Sequence, residues 1–200
     1  MNHAIKAVLT SLTLAAALSG CAAAVVGGAA AAGNSALDRR STGAQADDNI
    51  IELRVKETAS TYLNQNNRNP AYQPRLSVVS YNHRILLLGQ VATEQDKQFV
   101  EQVARSEQTA QAVYNYITVT PQQRTAGNVT ADTWSTTKVR TALLGAQGVY
   151  PGRVKIVTYD AVTYIMGVLT PEEQAEVTRR VSTTAGVQKV VTLYQPFTRP

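Results

Sequence analysis

The chain has 200 residues, with 19 Lys and Arg against 14 Asp and Glu for a net charge of +5, one cysteine and two histidines. A single cysteine excludes an internal disulfide, and two histidines, one of them His3, without a Cys or carboxylate cluster beside them make no zinc site, which takes three or four ligands. That length accommodates one domain or two small ones.

The chain opens with a short secretory signal. Lys6 supplies its positive region, and Ala7 to Leu18 is an apolar run of about twelve residues, against the roughly 20 of a membrane span. The run ends in Leu18-Ser19-Gly20-Cys21, which resembles the lipobox of bacterial lipoproteins. The resemblance implies removal of residues 1–20 as signal peptide, a diacylglyceryl group on the Cys21 sulfur, and acylation of the new amine. Several acyl chains on one residue make a stable anchor where a single chain is marginal. An ordinary signal peptide followed by a free thiol is the alternative. Ala22, where inner-membrane lipoproteins often carry Asp, implies sorting to the outer membrane. Residues 21–46 read as a lipidated flexible tether, because Gly27, Gly28, Gly33 and Gly43 interrupt any helical or strand period.

The rest is an internal repeat. Val55-Lys56 matches Val139-Arg140, Leu76–Tyr81 matches Val154–Tyr159, and Leu87–Val91 matches Ile165–Leu169, with a separation that drifts only from 84 to 77. Each copy opens with a helix at Asp48 or Asp132, both good N-cap residues. Two strands follow, Leu76–Tyr81 with Ile85–Val91 and Val154–Tyr159 with Val162–Leu169. Tight turns at Asn82-His83-Arg84 and Asp160-Ala161 make each pair a hairpin. A second helix runs from Glu94 and from Pro171, with apolar stripes at Phe99, Val100, Val103 and Ala104, and at Ala175, Val177 and Val181. A last strand covers Val113–Val119 and Val190–Tyr194. The fold class is α+β: two tandem αββαβ domains, helices packed on a three-stranded mixed sheet, at 47–119 and 132–195. Residues 120–131 are the linker, and 196–200 are a C-terminal tail.

Several features resemble the BON domain: an apolar strand ending in Gly (Leu86-Leu87-Leu88-Gly89, Tyr164-Ile165-Met166-Gly167), the step into the following helix, and Gly186-Val187 before Val190. Ala110-Gln111-Ala112-Val113 is a less typical last turn in the first copy. Lipobox, tether and two such domains in this order resemble the dual BON-domain outer-membrane lipoproteins of the DolP (YraP) type. The resemblance implies a non-enzymatic protein on the periplasmic face of the outer membrane that binds anionic phospholipid and supports envelope integrity, with outer-membrane assembly proteins as further candidate partners.

The residues themselves offer no catalytic constellation and no cofactor motif. His83 sits in a hairpin turn, and Glu172 and Glu173 diverge as adjacent helix positions. No small-molecule substrate is implied, and a periplasmic address removes nucleic acid. Membrane contact has the better basis. Residues 47–118 carry seven basic and eight acidic side chains, whereas residues 132–200 carry eight and five. Trp134, the only tryptophan, falls off the core stripe of Val139 and Leu143 and shares a face with Thr137, Lys138, Thr141 and Leu144. Trp and Leu beside a cation suit a phospholipid surface; packing of Trp134 on the domain edge or on the first domain is the alternative. The first copy has Ile50 and Leu53 at the positions of Trp134 and Thr137, a face read as packing surface for the second domain or a protein partner. Two function classes stay open, a lipid-binding module and an interaction lipoprotein using the same face for an envelope assembly partner or peptidoglycan.

Overall fold

The computed structural model describes residues 38–146 and 148–198. The signal peptide, Cys21 and the tether up to residue 37 lie outside the described residues. Residues from Arg39 onward form one compact unit.

The first helix, α1, spans Thr42–Gln65, and Ser41 caps it by accepting from the Ala44 amide. Strands β1 (Arg75–Tyr81) and β2 (Arg84–Val91) pair antiparallel. Helix α2 (Glu94–Arg105), capped by Thr93, crosses over to β3 (Ala112–Val119), which lies parallel to β2. The second copy repeats the order. Helix α3 spans Ala126–Leu144 and a 3₁₀ turn covers Pro151–Arg153. The hairpin is β4 (Val154–Tyr159) with β5 (Val162–Leu169), followed by α4 (Pro171–Ser182) and β6 (Lys189–Pro196) parallel to β5. Each sheet has its hairpin's second strand at the centre.

Both opening helices start earlier than the sequence reading placed them. The caps are Ser41 and Thr125, the latter in a reciprocal capping box with Asn128, so the stretch assigned to tether ends before Thr42 and the linker before Ala126. Asp48 and Asp132 are not caps. Each is buried within its helix and reaches across to the hairpin turn. The Asp48 carboxylate accepts from the Asn82 and His83 amides at 2.7 and 2.9 Å, from Ser80 Oγ at 2.7 Å and from Arg40 at 2.8 Å. Asp132 accepts from the Asp160 and Ala161 amides at 2.7 and 2.9 Å and pairs with Arg124. Both turns are two residues long with left-handed backbone throughout: φ is 51° and 60° at Asn82 and His83, and 52° and 60° at Asp160 and Ala161. None of these four is glycine, and each clamp stabilises a conformation that its turn adopts only at a cost. The arginines stack as well, Arg40 on Tyr81 and Arg124 on Tyr159, each 3.9 Å from the ring centroid.

The glycine that ends each apolar strand has a steric reason. A Cβ at Gly89 would stand 2.3 Å from the Arg75 carbonyl oxygen, and one at Gly167 would stand 2.9 Å from that of Arg153.

Each copy packs its helices on one face of its sheet. One core holds Ile51, Val55, Ala59, Ile85, Leu87 and Val100 with their neighbours; the other holds Val139, Leu143, Ile165, Leu169, Val177 and Val181. Ala175, expected in the α4 stripe, is exposed. A third core was not anticipated. Val79, Tyr81, Leu86, Leu88, Tyr164, Met166 and Leu193 are buried together, so the two sheets meet face to face through the sides their own helices leave open. The layers run helices, sheet, sheet, helices. Central strands β2 and β5 are therefore buried on both sides, which is why Ile85-Leu86-Leu87-Leu88 is apolar without alternation. Burial pushes the Tyr164 hydroxyl up to about 12. Polar bonds close the seam: Tyr81 Oη donates to the Arg153 carbonyl at 2.8 Å, Asn82 Nδ2 to Gln195 Oε1 at 2.8 Å, and Arg39 pairs with Glu173 at 2.5 Å. The first copy does dock on the second, but through its sheet.

Candidate functional site

The docking leaves both opening helices with their outer faces uncovered. Helix α3, about 28 Å long at 1.5 Å per residue, turns Asp132, Ser135, Val139 and Leu143 inward. On the opposite side Trp134 is 64% exposed and Leu144 72%. Thr137 and Thr141 are exposed between them. The structure thus brings Trp134, Thr137, Thr141 and Leu144 onto one outer face, and Trp134 packs neither on the domain edge nor on the first copy.

Lys138 stands at the margin of that face and is half-buried. Its amine lies against the Gly186 turn, where an added Cβ would meet Lys138 Nζ at 2.8 Å and Ser135 Oγ at 3.0 Å. Gly186 has φ of 97°, a backbone conformation that favours glycine.

The sequence reading missed the N-terminal half of the face. Thr130 and Thr133 belong to it, because α3 starts at Ala126. Four threonine hydroxyls donate back along the helix: Thr130 to Ala126, Thr133 to Val129, Thr137 to Thr133 and Thr141 to Thr137, at 2.9–3.0 Å. Their spacing of three and four residues was a legible signal. Ala126, Gly127, Thr130, Thr133, Trp134, Thr137, Thr141 and Leu144 make a strip with no ionisable side chain.

The first copy's α1 presents a different surface. Ile50 is 49% and Leu53 69% exposed, so this face is not packed on the second copy. Glu57 stands exposed on the same side, and Arg54 pairs with Glu107 at 2.9 Å. Among the described residues no three His, Cys, Asp or Glu side chains gather as a metal site would need, and no helix is long and apolar enough to cross a membrane.

Similarity to known proteins follows the same two-part layout. The BON domain family matches residues 47–121 and 131–193. The chain is 31% identical over 178 residues to a protein of Haemophilus influenzae named outer membrane lipoprotein DolP, covering 89% of each. It is also 31% identical over 158 residues to the 21 kDa hemolysin of Actinobacillus pleuropneumoniae, covering 78% of this chain and 77% of that one. Among solved structures, CdsD, a structural protein of the type III secretion system of Chlamydia trachomatis, aligns over 72% of this chain and 91% of its own. Its identity is 9% and its TM-score 0.29, too low to carry any inference. Two matched copies in tandem, and 31% identity over 89% of each chain to the Haemophilus protein, place the chain in the BON-domain family as a dual-BON protein of the DolP type.

Proposed function

We propose that the protein is a non-enzymatic lipoprotein of the outer membrane, facing the periplasm, anchored through acyl chains on Cys21. Its second BON domain lays the outer face of α3 on anionic phospholipid and so supports envelope integrity. The observation that carries this reading is the outer strip of α3: an exposed Trp and Leu among threonines whose hydroxyls bond back along the helix, in the copy with the excess of basic residues. An indole at the headgroup level and an aliphatic side chain below it are what an interfacial helix supplies. The relative's name supports the address.

The test is vesicle binding of the unlipidated body, residues 39–200, comparing phosphatidylglycerol-containing with neutral membranes for wild type and Trp134→Glu. Selective binding by the wild type, lost in the variant at unchanged melting temperature, is the expected result. If the wild type binds neither, the acyl anchor alone holds the protein, and the α3 face serves a protein or peptidoglycan partner instead.

A further inference from the structure

Building on the reading of α3 as the membrane contact, we propose that this face senses lipid packing more than headgroup charge, and so selects loosely packed or highly curved anionic bilayers. Three observations converge. The four threonines that make up half of the strip spend their hydroxyl donors on carbonyls one turn back, so none is left to donate to a phosphate. The cations flank the strip and do not lie along it: the half-buried Lys138 amine sits at the Gly186 turn, Arg140 donates to the Ile156 carbonyl, and Arg180 to the Gly145 carbonyl and Glu176. What projects outward is the indole of Trp134 and the isobutyl group of Leu144, ten residues and roughly 15 Å apart along the helix axis.

A surface of that kind reads a headgroup only from its margin, through Lys138 and Arg140. It gains free energy by inserting two large apolar side chains between acyl chains, and insertion requires gaps. Interfacial helices with few charges depend in this way on curvature and lipid composition. The positive balance of the second copy draws the body to an anionic surface, but that attraction is screened by salt; insertion sets how long the body stays.

Trp134 is the only tryptophan, so its emission reports insertion directly. The experiment takes the body 39–200 and vesicles of phosphatidylglycerol and phosphatidylcholine at one fixed ratio, about 30 or about 200 nm in diameter, at low and high salt. Partition per lipid should rise about fivefold or more on the small vesicles, and should fall no more than about twofold between about 0.05 and about 0.5 M salt. The double variant Thr137→Val, Thr141→Val removes two hydroxyls at constant shape and should bind within about twofold of wild type. Thr137→Lys should convert the face into a charge reader, with steep salt dependence and little response to diameter. Partition that follows salt and ignores diameter overturns the proposal, as does loss of binding in the valine variant. Absence of wild-type binding to every vesicle overturns the membrane reading as well.

Discussion

The two BON copies agree where they face inward and differ where they face out. Both clamp a left-handed two-residue turn with a buried helix aspartate, both stack an arginine on the tyrosine that ends the hairpin's first strand, and both need a glycine where the central strand nears a carbonyl. On the outer face of the opening helix, Ile50 becomes Trp134, Leu53 becomes Thr137, Arg54 becomes Lys138 and Glu57 becomes Thr141. The first face is apolar but carries a carboxylate at its centre and a neutralised cation at its margin. The second carries no ionisable group along its centre, with Lys138 at its margin. The core of the repeat specifies the fold, and the outer face assigns the work, so function here is argued from the residues the copies do not share.

The severest test of that comparison is to separate the copies. Residues 122–200 alone would expose Tyr164, Met166 and Leu193, which the sheet-to-sheet core buries. We expect this fragment to bind a hydrophobic dye and to melt broadly or self-associate, whereas 39–200 melts in one cooperative step. A sharp, monomeric fragment would show that the seam is dispensable. Within the intact body, Leu86→Ala should cost about 2–5 kcal/mol, the range for emptying a buried leucine site, measurable by denaturant titration.

Next in size is the clamp. Asp48→Ala and Asp132→Ala each remove the acceptor of two turn amides and of a half-buried arginine, and each should cost about 1–3 kcal/mol. Asp48 should be the more costly of the two, since it also holds Ser80 Oγ. Equal and small losses in urea titrations would mean that the turns keep their shape unaided.

Much of this was legible in the chain. Strand alternation, turn residues and the core stripe of α3 were sufficient to place Trp134 outward. The seam was written in the unbroken apolar run from Ile85 to Leu88, which a sheet covered on one face does not need. Both aspartates passed for caps because the helical period begins beside them. The real start signals, Ser41 and the Thr125–Asn128 box, precede stretches rich in Ala, Gly and Gln or Asn with no apolar stripe. The posture of Lys138 could not be read, because it depends on a turn at Gly186 that only the folded domain brings near.

The outer faces themselves should separate stability from function. Trp134→Glu and Ile50→Glu alter exposed positions, so each should change stability by no more than about 0.5 kcal/mol. Vesicle binding by the body should be lost in the first and retained in the second. Loss in both would make the copies equal membrane readers and erase the contrast drawn above.

The smallest expected effect concerns the third residue of the crossover helix, Asp96 in α2 and Glu173 in α4. Asp96 accepts from Thr93 Oγ1 at 2.7 Å, on the surface. Glu173 is buried, accepts from the Thr170 amide at 2.9 Å, and is paired with Arg39 at 2.5 Å and Arg153 at 2.8 Å. Burial pushes its carboxyl up, but the hydrogen bonds from Arg39, Thr170 and Arg153 outweigh that, and the net position is below the ordinary carboxylate value. A carboxyl lowered on folding contributes stability that is fully present above its unfolded value of about 4.3 and is lost as pH falls through the lower folded value. Wild type should therefore lose stability through that acidic window, and Glu173→Gln should lose less over the same range while being weaker at neutral pH. Asp96→Asn should leave the slope close to that of wild type. Parallel slopes for wild type and Glu173→Gln, measured by melting between pH 7 and pH 3, would remove the Arg39 contact as an electrostatic tie across the two copies and leave the apolar seam to hold them alone.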